Sequence, residues 1–164
     1  MRLAQTAESY RCEVHSLDYT STINPDERAQ MLLDRLFEDQ PKHFCLVGSS
    51  MGGYVSFVAA NQMACDGVFA MAPALRMPGY EQQVFEPRTK NVEIVHGWED
   101  EVIPVDHSLE FARTKGFRLH LVPDDHRLNA SLDELDRLFA GFLERLGCHG
   151  RYSPHAAEKF GGNF

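Results

Sequence analysis

Positive charge is scarce in this 164-residue chain: 16 Lys and Arg stand against 24 Asp and Glu, a formal net charge of −8. No segment gathers the cations into a stripe, which excludes the phosphate-neutralising surface of a nucleic-acid binder. Long apolar runs are absent as well. Nothing approaches the ~20 consecutive apolar residues of a membrane span, and the first residues lack the charged-then-apolar pattern of a secretory leader. Cysteines are few and scattered. Cys12, Cys45, Cys65 and Cys148 form no Cys-x-x-Cys pair, so free thiols in a cytoplasmic protein are expected rather than a disulfide framework or a zinc site. No internal repeat is visible.

What remains is an ordinary globular composition, 43% hydrophobic and 24% charged. The length suits one domain burying roughly two-thirds of its unfolded surface. We place that domain over residues 1–146 and read 147–164, which has Gly, Pro and His but no periodicity, as an irregular tail that is loosely ordered or packs on a partner.

The most informative stretch is Phe44-Cys45-Leu46-Val47-Gly48-Ser49-Ser50-Met51-Gly52-Gly53-Tyr54. A short apolar run from Phe44 to Val47 predicts a buried strand, and a helix is expected from Tyr54 to Ala60. Between them lies Gly-x-Ser-x-Gly centred on Ser50, in the strand–turn–helix context of a nucleophile elbow. A serine on so tight a turn exposes its hydroxyl, and Gly48 and Gly52 lack the Cβ atoms that would clash there. The helix start behind it offers N–H groups and a positive dipole end to developing negative charge. A plainer reading makes Ser49 or Ser50 a helix cap.

Around this stretch, strands and helices alternate. Residues 1–9 resemble the tail of a helix, and residues 12–17 (CEVHSL) alternate as a strand would. Asn24 and Pro25 open a helix with Asp26 and Glu27 at its positive end and Met31, Leu32, Leu36 and Phe37 on its apolar face. Strands follow at 67–71, 92–96 and 118–122, with a helix over 107–114. An amphipathic helix spans 132–146, with Leu135, Leu138, Phe139, Phe142, Leu143 and Leu146 on one side. This order predicts a parallel α/β sheet with helices on both faces.

In such sheets the active site lies at the carboxyl ends of the strands. Two segments there could partner Ser50: His96-Gly97-Trp98-Glu99-Asp100-Glu101-Val102-Ile103-Pro104 and Pro123-Asp124-Asp125-His126-Arg127-Leu128. A serine hydroxyl needs a base within hydrogen-bond reach. An imidazole can take its proton and return it to a leaving group, and a carboxylate holds the tautomer and stabilises the imidazolium. For the carboxylate, Asp100 competes with Glu99, a solvated loop charge, and with Asp106, which we read as a helix N-cap. For the base, His126 competes with His120, a sheet-face residue on its alternation. The backbone N–H of Met51 is a candidate oxyanion donor. Asp124, Asp125 and His126 lack a second His at ligand spacing, so no metal is expected. His96 is read as support for the Asp100 loop. Ser49, Tyr54, Trp98 and Arg76 are candidate pocket residues, with packing or solvation as the rival role for each.

LVGSSMGGY, HGWEDEVIP and DDHRL together resemble the α/β-hydrolase family, most of all its small esterase-type members without a cap, in the family's chain order Ser, Asp, His. The resemblance covers about residues 12–146. It implies Ser50 as nucleophile, His126 as general base and acid, Asp100 as the orienting acid, and no cofactor. The implied fold is α/β, a doubly wound, mostly parallel sheet with helices on both faces, N-terminally shortened and without a cap domain. Residues 72–90 leave room only for a loop where larger relatives insert a helical cap, so the pocket should be open.

One departure stands out. The family's earlier strand, whose His-Gly-type loop gives the second oxyanion N–H, has no counterpart here. Its place lies between residues 12–17 and the elbow strand. Three ways of closing the gap are open: residues 12–17 slide inward, a partner chain contributes a segment, or the sequence is a truncated gene product. The expected activity is cleavage of a small carboxylic ester through an acyl-enzyme on Ser50. Two alternatives remain: a catalytically weak binding or assembly protein, and a thioesterase or acyltransferase. The expected partners are a small-molecule ester and, in an open case, a second copy completing the sheet.

Overall fold

Parallel strands covered on both faces need apolar side chains pointing both ways, and the short runs GVFAM and VEIVHG meet that need. The structure, a computed structural model, describes residues 2–149. Its order is α1 (Arg2–Ser9), α2 (Pro25–Asp39), β1 (Cys45–Ser49), α3 (Met51–Gln62), β2 (Gly67–Met71), β3 (Val92–Gly97), α4 (Val105–Lys115), β4 (Arg118–Val122) and α5 (Leu132–Arg145). The four strands form one all-parallel sheet in the order β1-β2-β3-β4. The expected fold class is therefore observed.

Successive strand residues feed opposite layers. Leu46, Val68, Ala70, Val92 and Ile94 pack with α2, α3 and α4, around Leu33, Tyr54, Phe57 and Phe111. Phe69, Val95 and Val122 face α1 and α5, where Phe69 meets Phe139 and Phe142 at ring separations of 5.1 and 5.5 Å. The start of α2 is as expected: Asn24 Oδ1 accepts from the N–H groups of Asp26 at 2.8 Å and Glu27 at 3.3 Å, and Pro25 occupies the first turn. No helix or strand interrupts residues 72–91, so no helical cap is inserted between β2 and β3.

Two expectations are corrected. Asp106 is not the N-cap of α4; Pro104 holds that place without a side-chain bond, and Asp106 lies inside the first turn. Residues 12–17 form no strand. Their alternation suits a half-buried strand, but no strand among the described residues pairs with them, and β1 is an edge strand there. Phe44 C=O and Ser50 N–H bond across to β2, through Asp66 N–H at 2.8 Å and Met71 C=O at 2.9 Å. By the alternation of a parallel ladder, the N–H and C=O groups of Cys45, Val47 and Ser49 point to the free side. Instead of an inward-shifted strand, a groove of about 490 Å³ runs along that side. Leu32 and Val55 line one wall and Ala7, Leu135 and Phe139 the other, with residues 12–17 on the far bank.

The four cysteines are free, and the Cys12 and Cys148 thiols lie 3.7 Å apart. From residue 150 onward, the expected irregular tail lies outside the described residues.

Candidate active site

The turn between β1 and α3 is built by close backbone approach. A Cβ on Gly48 would stand 2.1 Å from the carbonyl oxygen of Gly52, and one on Gly53 would stand 2.7 Å from the Cβ of Pro73. A Cβ on Gly52 would meet nothing within 4 Å. The expectation that Gly52 relieves a clash is thus corrected, and Gly53 is the second glycine the turn requires. Ser50 itself adopts φ 54°, ψ −120°, a conformation that costs a non-glycine residue about 1–3 kcal/mol. Its neighbours hold it there: its N–H donates to Met71 C=O at 2.9 Å, and its carbonyl accepts from Gly53 and Ala74 N–H, each at 3.0 Å.

The Ser50 hydroxyl caps nothing in α3. Its Oγ donates instead to His126 Nε2 at 2.9 Å, while His126 Nδ1 lies 2.8 Å from Asp100 Oδ2. A carboxylate can only accept, so Nδ1 carries the hydrogen and Nε2 is left as the acceptor facing serine. Three residues separated by up to 76 positions in sequence therefore form one hydrogen-bonded chain.

Asp100 is fully enclosed, with no exposed side-chain surface. Its Oδ1 accepts from the N–H groups of Val102 and Ile103, both at 2.8 Å. Burial alone would raise its pKa, but the bonds from Ile103, His126 and Val102 outweigh it, so the carboxyl titrates below its ordinary range. It faces the imidazole as an anion. Asp124 plays a supporting part in the second loop. Its Oδ1 accepts from Asp125 N–H and its Oδ2 from Ser131 N–H, both at 2.8 Å. Burial raises the Asp124 pKa, and bonds from Ser131, Asp125 and Ala130 more than reverse it.

The loops bearing Asp100 and His126 are joined by main chain. Trp98 N–H reaches Val122 C=O at 2.9 Å, and Glu99 N–H reaches Asp124 C=O at 3.0 Å. A Cβ on Gly97 would lie 2.2 Å from Asp124 O and 2.6 Å from Asp125 O, so only glycine allows this approach. Gly97 was legible only as part of His-Gly, and its role depends on a contact 27 residues away.

Met51 is the first residue of α3, so its N–H has no intrahelical acceptor. It lies next to Ser50 at the positive end of the helix, where a developing oxyanion would be stabilised. The other candidates are dispersed. Trp98 stands at the carboxyl end of β3 and is 55% exposed. Ser49 is exposed on the free side of β1 and lines its groove. Arg76 is exposed and paired with Glu110. Tyr54 is wholly buried, its hydroxyl donating to Asp26 and accepting from Gln82 N–H, so it belongs to the core. His120 bonds Glu93 on the sheet at 2.8 Å, away from the serine partner role, and the Glu99 side chain is exposed. Among the described residues, no group of three or more His, Cys, Asp or Glu is arranged to hold a metal.

No family model and no curated protein sequence matches this chain. Solved structures do. A Xanthomonas campestris pv. campestris protein described as belonging to the α/β hydrolase superfamily superposes with a TM-score of 0.77 at 28% identity, covering 88% of each chain. An α/β serine hydrolase without a lid, also from Xanthomonas campestris, gives 0.66 at 18% identity, over 93% of this chain and 75% of that one. An esterase gives 0.56 at 23% identity, over 79% and 68%. The sheet, its helices and these likenesses make the fold that of the α/β hydrolases, without a lid.

Proposed function

We propose that this α/β-hydrolase-fold chain is a serine hydrolase that cleaves small carboxylic esters through an acyl-enzyme on Ser50. The observation that carries the reading is the alignment of Ser50 Oγ, His126 and Asp100 in one hydrogen-bonded chain, with links of 2.9 and 2.8 Å. Ser50 Oγ attacks the ester carbonyl carbon and its proton passes to His126 Nε2. The carbonyl oxygen becomes an oxyanion facing Met51 N–H, a contact of a type that contributes about 2.7–4 kcal/mol where it has been removed by mutation. Collapse breaks the acyl–oxygen bond, and the alcohol leaves with the proton from Nε2. Water then gives a proton to Nε2, attacks the acyl carbon and releases the acid, restoring the Ser50 hydroxyl. Asp100, anionic and buried, steadies the imidazolium that exists between these transfers.

The absence of helices in residues 72–91 supports short, accessible esters over long acyl chains. No helix among the described residues is long and apolar enough to cross a membrane, and the free thiols suit a reducing compartment; a cytoplasmic location is part of the proposal. One observation favours a second reading, a weak catalyst that serves mainly in binding or assembly: among the described residues the edge of β1 stands open where the family's earlier strand and its oxyanion loop are expected, which leaves Met51 N–H as the candidate donor. A thioesterase or acyltransferase would use the same residues.

Hydrolysis of p-nitrophenyl acetate by wild type and Ser50→Ala, with mass spectrometry after a fluorophosphonate probe, separates these readings. We expect turnover by wild type, loss in the variant and labelling on Ser50. A folded wild type that neither turns over nor labels would leave the binding reading. Faster turnover of the matching thioester, or transfer to an added alcohol, would redirect the substrate assignment.

A further inference from the structure

The chain of hydrogen bonds does not end at Asp100. Behind it, on β3, His96 is completely buried, with no exposed surface. Its Nε2 bonds the carbonyl oxygen of Ile103 at 3.1 Å and stands 3.1 Å from Asp100 Oδ2, the same oxygen that holds His126. Its Nδ1 lies 2.8 Å from the hydroxyl of Ser108 on α4, a side chain also without exposed surface. Both neighbours of Nε2 are acceptors only, so Nε2 carries the hydrogen. Nδ1 is then the acceptor, and Ser108 donates to it. We propose that His96, held in this tautomer by Ser108, is the positioning residue of the Asp100 carboxylate, donating a shared Nε2–H that keeps Oδ2 aimed at His126. The inference rests on the serine hydrolase reading above.

The need for such a residue is physical. Oδ1 is fixed by the two N–H groups of Val102 and Ile103, which pin one end of the carboxylate. Rotation about the Cβ–Cγ bond moves both oxygens together, so a donor at Oδ2 resists the same rotation from the second oxygen and adds to the aim at His126. His96 adds a second donor at Oδ2 beside His126, and by holding Ile103 C=O it also fixes the residue whose N–H is one of the Oδ1 donors. Burial holds His96 below its ordinary pKa against the opposing pull of Ile103 C=O and Asp100, so it serves as a neutral donor and not as a second cation. This geometry matches the way outer-shell partners orient ligands and fix tautomers in other sites.

The test uses His96→Leu, His96→Gln and Ser108→Ala. A glutamine side chain brings an amide N–H to about where Nε2 stands, whereas leucine brings none. With p-nitrophenyl acetate, His96→Leu should lower kcat about 10-fold or more while KM stays within about twofold, because loss of alignment acts on the chemical step. His96→Gln should recover most of that loss, and Ser108→Ala should show a smaller drop of the same kind. The downfield proton resonance of the His126 Nδ1–H bonded to Asp100 supplies an activity-independent reading: sharp in wild type, broadened or lost in His96→Leu, restored in His96→Gln. Wild-type kcat and an unchanged resonance in His96→Leu and Ser108→Ala, with only Tm lowered, would overturn the proposal and make His96 a packing residue. If wild type itself is inactive, the hydrolase reading fails, and the resonance still decides whether His96 positions Asp100.

Discussion

Replacing Gly97 by alanine tests whether two crossing loops set the active geometry. The added Cβ would sit 2.2 Å from Asp124 O, 2.6 Å from Asp125 O and 2.8 Å from Asp124 C, all main-chain atoms that no rotamer change can move. Ordinary contact needs about 3.5 Å, and even a tight one demands that the loops part by roughly 1 Å. The atoms forced away belong to the residues directly before His126, whose bonds to Ser50 and Asp100 are 2.9 and 2.8 Å long. A shift of that size breaks at least one of them, and misplacement by about 1 Å is worth around 10²-fold in rate. The strain itself should cost about 1–3 kcal/mol, at about 2–4 °C of Tm per kcal/mol for a chain of this size. The assay is kcat/KM for p-nitrophenyl acetate, normalised to the fraction of folded enzyme by thermal melting. Gly52→Ala is the control for stability, since its Cβ meets open space inside the first turn of α3 and alanine is the better helix former. Wild-type kcat/KM in a folded Gly97→Ala variant would refute the argument.

Two further predictions concern stability and the sheet edge. The pKa of His96 is held below its ordinary 6.5, so in the pH window below that value the unfolded chain binds a proton that the folded chain refuses. Stability should therefore begin to fall as pH drops below about 6.5, and His96→Gln should flatten that part of the Tm profile relative to wild type. Asp100 and Asp124, both lowered from 3.8, add a second loss: their contribution is complete above that value and disappears as pH falls through their folded pKa values. Superimposable profiles for wild type and His96→Gln between about pH 7.5 and 5 would rule out the first stage. Along β1, amide hydrogen exchange should alternate, fast at Val47 and Ser49, whose N–H groups face the groove, and slow at Leu46 and Gly48, which bond β2. Equal protection at all four would mean that another chain covers this edge in solution, as expected of a second copy completing the sheet.

The sequence was readable where one residue type answers one local demand. Runs such as VFAM must be buried on both faces, Asn24-Pro25 must start a helix, and a serine in a glycine-bounded turn between strand and helix must be strained. Those features place β2, α2 and Ser50 without knowledge of anything distant. Residues 12–17 mislead for the complementary reason: alternation says which side chains could face a core, but a strand exists only where another backbone accepts it, and none does among the described residues. Gly52 and Gly53 are alike in sequence, and only the position of Pro73 decides which one is obligatory. Ser108 carried no signal at all, being one small polar residue on an amphipathic helix, yet it lies 2.8 Å from His96.

These misses share a cause with consequences for how the site works. The geometry rests on contacts between separate segments: Ser50 against Met71 and Ala74, Gly97 against Asp124, Trp98 and Glu99 against the β4 loop, and His96 against Ser108 and Asp100. Most of these are main-chain contacts, indifferent to which side chain occupies Trp98 or Glu99. Substitution at those exposed positions should leave the chain from Asp100 to Ser50 intact, and a change in the buried contacts should not. On the proposed serine hydrolase reading, the buried contacts that hold His126 are therefore separate from an outer rim that includes Trp98, and substitution on that rim should change substrate preference while leaving the chain from Asp100 to Ser50 intact.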